Sequence, residues 1–283
     1  MTRVPAKSHY VDHDAIRLHH LDWGNHGCHP IVLVHGGRLH AHVWNDYSRR
    51  VKDRYHVIAV DQRGHGDSGW GPEDSYHFEE LYQDLRAVIA ARGLKRYTLV
   101  GHSLGGMVSM LYAHRHHYEL ERLVLVDVAA GLPLVPPGTD LSRIAEVPSP
   151  RDFESHDEAT DYLAGIMKRA PRDMVEESVR HGMRQTKSGR HTWKYDPALA
   201  WFRYNHSAID FWSLVKEIPT RTLLQYGSES RVVTEQIARR MADTMPNCSI
   251  ERIEQAGHAL FTDQPDAFAD SMERFLADAQ PSK

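Results

Sequence analysis

Cysteine and long apolar runs are both scarce in this sequence. The 283 residues include two cysteines, which are too few for a disulfide framework. No apolar run approaches the roughly 20 residues that a membrane-spanning helix needs. The N-terminal stretch MTRVPAKSHYVDHD also lacks the apolar segment of a signal peptide. These absences favour a cytoplasmic protein.

An excess of one charge is missing as well. The 34 basic and 38 acidic residues nearly cancel, so the composition carries no electrostatic footprint for nucleic acid or for an anionic membrane. Histidine is abundant, with 21 residues, and the run HRHH at 114–117 is expected at the end of a helix, where imidazolium is favoured beside the carbonyl ends. No cysteine stands near this run to complete a metal site. We therefore predict no nucleic-acid partner, no membrane partner and no bound metal.

Short apolar runs alternate with helical patterns in the first half of the chain. Continuous apolar runs are typical of strands that are buried on both faces of a parallel sheet, and they occur at 31–36, 56–61, 97–102 and 123–128. The stretch SYHFEELYQDLRAVIAARG between them has apolar residues at helical spacing and ends at Gly93. The N-terminal SHYVDHDAIRLHHLDWG resembles an antiparallel hairpin at one sheet edge. This order predicts an α/β fold with a mostly parallel sheet and helices on both faces.

The strand pattern stops between about residues 131 and 209. The Pro/Gly-rich GLPLVPPG begins this segment, and only helical patterns follow, one of them opening at Pro171. Further strands and a closing helix are expected at 220–227, 248–255 and 265–277. We therefore predict a core of residues 1–130 and 210–283, interrupted by a helical cap of residues 131–209. The cap is too long for a plain loop and is expected to act as a lid.

The stretch LVGHSLGG at 99–106 carries the strongest chemical indication. An apolar strand runs into Gly-His-Ser-Leu-Gly and a helix follows at once, which is the pattern of a nucleophile elbow. Gly101 and Gly105 flank a turn too tight for side chains, and the turn exposes the hydroxyl of Ser103. The amide of Leu104 then lies at a helix N-terminus, where it can donate to an oxyanion.

A nucleophilic serine needs a base and a second oxyanion donor. His258, in EQAGHALFTDQP, lies between the last strand and the last helix and follows the serine in the chain, as this arrangement requires. The HGGRLHAHVW loop offers the amide of Gly37 as the second donor, and His35 is expected to hold this loop by hydrogen bonds. Arg38 either pairs with a substrate carboxylate or stabilises the loop.

The sequence resembles the α/β-hydrolase fold family in four motifs and in their order along the chain: HGG, DQRGHGDSG at 61–69, GHSLGG and AGH. The resemblance covers nearly the whole chain and puts the insertion in the family's cap position. It implies that Asp61 and Arg63 shape a structural turn. It also argues against the dehalogenase and epoxide hydrolase branches, because those use an aspartate where this chain has a serine.

The triad acid is not where the resemblance first places it. Most members carry it after the strand that follows the cap, and the matching residue here is Ser230, which cannot stabilise an imidazolium as a carboxylate does. Glu229 is adjacent but is expected to point elsewhere. Asp127 ends the strand LVLVDV just before the cap, as in a minority of relatives. We therefore predict Asp127 as the acid, with Glu229 as the alternative.

These residues predict a serine hydrolase with a triad of Ser103, His258 and Asp127. It would cleave an ester, lactone or amide of a small carbonyl compound through an acyl-enzyme, with no cofactor. The same layout also serves C–C bond hydrolases, and a catalytically weak ligand-sensing protein is the alternative from another class. The cap aromatics Trp193 and Tyr195, with Trp201 and Tyr204, either line the substrate pocket or belong to the core. Basic and acidic residues balance in the cap, so its overall charge does not identify the substrate.

Overall fold

A computed structural model of the chain describes residues 6–131, 147–199 and 209–278. In chain order its strands are β1 (Lys7–His13), β2 (Ile16–Asp22), β3 (Pro30–Val34), β4 (His56–Val60), β5 (Tyr97–His102), β6 (Leu120–Val126), β7 (Asp152–Phe153), β8 (Met183–Gln185), β9 (His191–Trp193), β10 (Thr222–Gly227) and β11 (Cys248–Ile253). Eight of them form one sheet in the order β1-β2-β4-β3-β5-β6-β10-β11. From β4 to β11 all neighbouring strands are parallel.

The sheet follows the apolar pattern of the sequence. Every residue of β4, β5 and β10 is buried, as expected for strands covered on both faces. The predicted hairpin is β1 and β2, which pair antiparallel at the sheet edge. Its turn residues Asp14 and Ala15 have φ of 45° and 63°, the left-handed conformation that a tight hairpin turn needs at both central positions. The predicted α/β fold class is confirmed.

The described helices are α1 (Asn45–Val51), α2 (Phe78–Ala91), α3 (Leu104–His116), α4 (His156–Ile166), α5 (Arg172–Gly182), α6 (Phe211–Val215), α7 (Glu235–Thr244), α8 (Leu260–Asp263) and α9 (Pro265–Ala277). In α2 the apolar residues at helical spacing are buried, and the helix is followed by Gly93 at φ 61°. The helix α3 ends with the basic residues of the HRHH run, as predicted. No helix within the described residues is long and apolar enough to span a bilayer.

The insertion differs from the expectation of helical segments alone. Its described part contains α4 and α5 together with a small antiparallel sheet in the order β7-β9-β8. Pro171 precedes α5, and Val175 and Val179 are buried on one face of that helix. The three strands have two or three residues each. Such strands are too short to show the alternation from which a strand is predicted.

The insertion contacts the loops that leave the carboxyl ends of β3 and β4. His40 Nε2 lies 3.1 Å from the carbonyl oxygen of Ser178 in α5. The amide of Asp196 donates to the carbonyl of Gly64 at 2.8 Å, and the hydroxyl of Tyr76 donates to the Asp196 carboxylate at 2.6 Å. The insertion therefore packs over the sheet edge at which parallel strands place their functional loops.

Candidate active site

Ser103 occupies a strained turn between β5 and α3. Its φ of 50° and ψ of −115° lie outside the regions that a residue with a side chain prefers. The glycines permit this turn: a Cβ on Gly101 would lie 2.4 Å from the carbonyl oxygen of Gly105. A Cβ on Gly105 would lie 2.5 Å from the backbone oxygens of Val34 and His35. The steric reason inferred for the elbow glycines therefore holds.

Asp127 and His258 meet at the same edge of the sheet. β6 lies between β5 and β10, and Asp127 directly follows β6. The carboxylate Oδ2 of Asp127 lies 2.6 Å from Nδ1 of His258, and both side chains are almost fully buried. A carboxylate that accepts at this distance requires the proton on Nδ1, so in the neutral ring the lone pair is on Nε2. The described residues offer no hydrogen-bond partner to this buried Nε2. The ring is thus in the tautomer that a general base requires.

Ser230 occupies the position where the family resemblance first places the triad acid. It contacts Asp127, the residue predicted as the acid instead. Its hydroxyl donates to Oδ2 of Asp127 at 2.6 Å. Its oxygen accepts the amides of Val232 and Val233 at 3.0 and 3.1 Å, which uses both lone pairs and leaves the single proton for the carboxylate. The amide of Gly227 donates to Oδ1 of Asp127 at 3.1 Å. Donors therefore hold both carboxylate oxygens in place.

Glu229, the alternative acid, lies away from the histidine. Its side chain is 48% exposed and forms an ion pair with Arg169 of the insertion. The backbone amide of Glu229 donates to the carbonyl of Ala256 at 2.8 Å, which fixes the loop in this orientation. Of the two candidates, the structure brings Asp127 to the imidazole.

The loop after β3 lies beside the elbow. A Cβ on Gly36 would lie 3.2 Å from Cβ of Ser103, so the backbone approaches the serine closely. His35 holds the loop as expected: its Nδ1 donates to the Gly36 carbonyl at 2.7 Å, and its Nε2 accepts the amide of Gln62 at 3.1 Å. Burial lowers the pKa of His35, which keeps the ring neutral. Among the described residues, the amides of Gly37 and Leu104 meet no hydrogen-bond acceptor.

His102 links the elbow to the histidine loop. Its Nε2 donates to the carbonyl of His258 at 3.0 Å, and the two rings lie 4.5 Å apart between centroids. Burial lowers the pKa of His102 well below its usual value, so the ring acts as a neutral donor. The sequence motif did not reveal this role, because it depends on a contact between residues 156 positions apart.

The substrate-binding candidates lie where the insertion meets the loop after β3. Arg38, Trp193 and Tyr195 line one narrow cleft, and the guanidinium carbon of Arg38 is 5.8 Å from the Tyr195 ring centre. Trp193 and Tyr195 are 5% and 4% exposed, so most of each ring also belongs to the core. Trp201 and Tyr204 lie outside the described residues.

A larger cleft of about 690 Å³ lies between α1 and α5. Polar side chains such as Asn45, Arg49 and Glu177 line it, and it includes none of the residues predicted for catalysis.

The DQRGHGDSG turn has a structural role, as the resemblance implied. The buried Asp61 carboxylate accepts the amides of Ala41 at 2.6 Å and Asp67 at 2.9 Å, and it also contacts His19 Nδ1 at 2.6 Å. Arg63 forms a buried ion pair with Asp84. Asp61 therefore ties the loop after β4 to the segment that follows β3.

Comparison with known proteins agrees with the α/β fold. A family model described as the alpha/beta hydrolase family matches residues 31–271. N-formylmaleamate deformylase of Pseudomonas putida is 28% identical over 268 residues, covering 94% of this chain and 95% of its own. An esterase of Escherichia coli is 26% identical over 254 residues, covering 89% and 95%. The crystal structure of E-2-(acetamidomethylene)succinate hydrolase superposes with a TM-score of 0.83 at 22% identity, covering 96% of this chain and 100% of that chain.

Proposed function

The chain belongs to the alpha/beta hydrolase family, and from this premise we propose that it is a serine hydrolase acting through an acyl-enzyme. Ser103 attacks an acyl carbonyl, and His258 takes the serine proton and returns it to the leaving group. Asp127 orients the imidazole and stabilises its charged form. Water then hydrolyses the acyl-enzyme by the same route. The substrate is a small ester, lactone or amide.

The contact between Asp127 and His258 carries this proposal. It is short, buried and made at Nδ1, which leaves Nε2 as the basic atom of a ring that lies beside His102, the neighbour of Ser103. The strained turn presents Ser103 as the nucleophile. The amides of Gly37 and Leu104, which meet no acceptor among the described residues, are the oxyanion donors that the same mechanism needs. Relatives named as an esterase and a deformylase fit acyl transfer.

Active-site labelling separates an enzyme from a ligand-sensing protein of the same fold. We expect a fluorophosphonate to modify the wild type at Ser103 and to leave Ser103→Ala unmodified, with both proteins equally folded by circular dichroism. The same substitution should reduce turnover by about a million-fold or to background. Substantial activity in Ser103→Ala would rule out the serine mechanism.

A hydrolysis screen then identifies the bond. Short p-nitrophenyl esters, aryl amides, lactones and vinylogous diketones cover the acyl and C–C alternatives. Cleavage of the diketones without cleavage of the esters would favour a C–C bond hydrolase. No hydrolysis together with no labelling would favour a binding protein.

A further inference from the structure

Two imidazole rings stack across the boundary between the loop after β3 and the insertion. His42 lies in the short turn Ala41–Trp44 that follows this loop, and His181 lies in α5. Their ring centres are 3.6 Å apart, and their planes are 8° from parallel. Flat neutral rings attract one another at such a separation, whereas two imidazolium ions would repel. The contact is therefore weakened when the rings are protonated.

A neighbouring amide fixes the neutral form of His42. The side-chain nitrogen of Asn45 lies 2.8 Å from the Glu177 carboxylate of α5, which only accepts, so this nitrogen is the donor. The same nitrogen lies 3.2 Å from Nδ1 of His42 and donates its second proton there. Nδ1 of His42 therefore carries the lone pair. Protonation of the ring would add a proton at this atom and place two donors against each other.

The same face of α5 rests on the loop after β3 through His40. Nε2 of His40 lies 3.1 Å from the carbonyl oxygen of Ser178, which is three residues before His181 and so on the same side of the helix. A Cβ on Gly182 would lie 2.8 Å from this Nε2, so the helix approaches the loop closely. A loss of the contact between His42 and His181 therefore acts directly on the junction between α5 and the loop that carries Gly37.

The surroundings of the two rings favour their neutral forms. Burial, followed by the neighbouring His181, lowers the pKa of His42 to about 4, and burial also lowers the pKa of His181. The other titratable groups around the pair come from β2, the loops after β3 and β4, α1, α5 and the end of β9: His19, His40, Asp46, Arg49, Asp61, Asp67, Glu177, Arg180 and Lys194. The carboxylates Asp61, Asp67 and Glu177 oppose the lowering without reversing it. Both rings line the cleft of about 690 Å³ between α1 and α5, so protons reach them from solvent.

We propose that His42 and His181 form a pH-sensitive latch, which holds α5 on the loop after β3 at neutral pH and releases it as the pH falls. When α5 separates, the rings no longer stack and His42 returns to water, where its pKa is near 6.5. The separated state therefore takes up protons first, and acid favours it between pH 6.5 and 4. The inference goes beyond the proposed hydrolase function and does not depend on it, because it concerns only the contact between α5 and the core.

Amide hydrogen exchange measures the release of α5. Exchange is followed by mass spectrometry at pH 7 and pH 5 without substrate, and each rate is divided by the rate of an unstructured peptide at the same pH. This ratio gives the fraction of time for which the amides of α5 are open. The return of the His42 pKa from about 4 to 6.5 should by itself raise this fraction about twentyfold from pH 7 to pH 5. The amides of α5 should also exchange faster than those of the core helix α3, which shows that the opening is local.

Phenylalanine keeps a flat ring at these positions but cannot titrate. The double variant His42→Phe with His181→Phe should therefore show no rise in α5 exchange from pH 7 to pH 5. His181→Phe alone should reduce the rise without abolishing it, because the burial of His42 remains. His181 is only half-buried, so this single variant also provides the test if the double variant fails to fold. His114→Phe is the control, because His114 pairs with Glu217 at 2.9 Å outside the insertion, and its loss should leave the rise unchanged.

Several outcomes would overturn the latch. One is a wild-type α5 whose corrected exchange is the same at pH 7 and pH 5. Another is a full wild-type rise in either phenylalanine variant, or an equal loss of the rise in His114→Phe. An α5 that exchanges no faster than α3 at pH 5 would show that no local release occurs. Labelling at Ser103 does not enter this experiment, so the hydrolase proposal stands or fails separately.

Discussion

Replacing Ser230 with alanine removes one donor from a buried carboxylate. Oδ2 of Asp127 accepts both the Ser230 hydroxyl and Nδ1 of His258, each at 2.6 Å, and Asp127 is 0% exposed. A hydrogen bond to a charged group contributes about 1.5–3 kcal/mol, which corresponds to roughly a tenfold to hundredfold change in rate. We expect kcat/KM of Ser230→Ala to fall by this factor. Asp127→Asn, which leaves the imidazolium unsupported, should cost on the order of 10⁴.

A purely structural effect of Ser230→Ala must be told apart from this one. The substitution also removes the acceptor for the amides of Val232 and Val233, so some loss of stability accompanies it. The pH profile of kcat/KM distinguishes the two. Loss of the Ser230 hydroxyl disfavours the ionised form of the Asp127 carboxylate, so the acidic limb of the kcat/KM profile should move to higher pH. Loop distortion alone would lower the profile without moving the limb.

The assay is kcat/KM for a p-nitrophenyl ester between pH 5 and 9. Ser228→Ala is the control, because its hydroxyl oxygen lies in the same loop but accepts the amide of Gln255 instead. Ser230→Thr keeps the hydroxyl and should restore most of the rate and the position of the acidic limb. The reasoning fails if Ser230→Ala retains full activity with an unmoved limb, or if Glu229→Gln costs more than Asp127→Asn.

Three further predictions follow from other parts of the structure. Gly105→Ala should unfold at lower temperature and lose activity, because its Cβ would lie 2.5 Å from backbone oxygens; thermal denaturation checks this, and an unchanged midpoint would contradict it. Arg49→Met should loosen α5, because it breaks the two 2.8 Å hydrogen bonds to Glu177, which contribute about 1 kcal/mol; amide hydrogen exchange in α5 should become faster, and exchange that stays slow would contradict this. Burial lowers the pKa of His20 from 6.5 to about 4 and that of His65 from 6.5 to about 3. As the pH falls, these histidines therefore take up protons in the unfolded chain before they do so in the folded one. The free energy of unfolding should consequently fall as the pH drops from 6.5 toward 4. Each histidine contributes at most about 1.4 kcal/mol per pH unit to the slope of the unfolding free energy against pH. Urea titrations should show a smaller slope in His20→Phe, and a free energy of unfolding that does not change with pH would refute the prediction.

The sequence alone determined the sheet and the elbow, because both are written in short-range patterns. Buried parallel strands need continuous apolar runs, and the strand, turn and helix around Ser103 need glycines at fixed spacing. Those requirements act within a few residues of the chain. The fold class, the N-terminal hairpin and the buried face of α2 could therefore be predicted from local sequence. The short strands β7 to β9 could not, since two or three residues carry no periodicity.

Only the tertiary structure decided which residues meet at the sheet edge. Asp127 reaches His258 across 131 positions and Ser230 across 103, and both contacts depend on β10 pairing beside β6. The amide of Asp127 donates to the carbonyl of Gln225 at 2.8 Å, which sets the register that brings the acid level with Gly227 and the loop after it. The family resemblance could rank Asp127 above Glu229, but the contact of the Ser230 hydroxyl with that carboxylate follows from strand order. Likewise, Arg38 and Trp193 share a cleft because the insertion packs over the loop after β3.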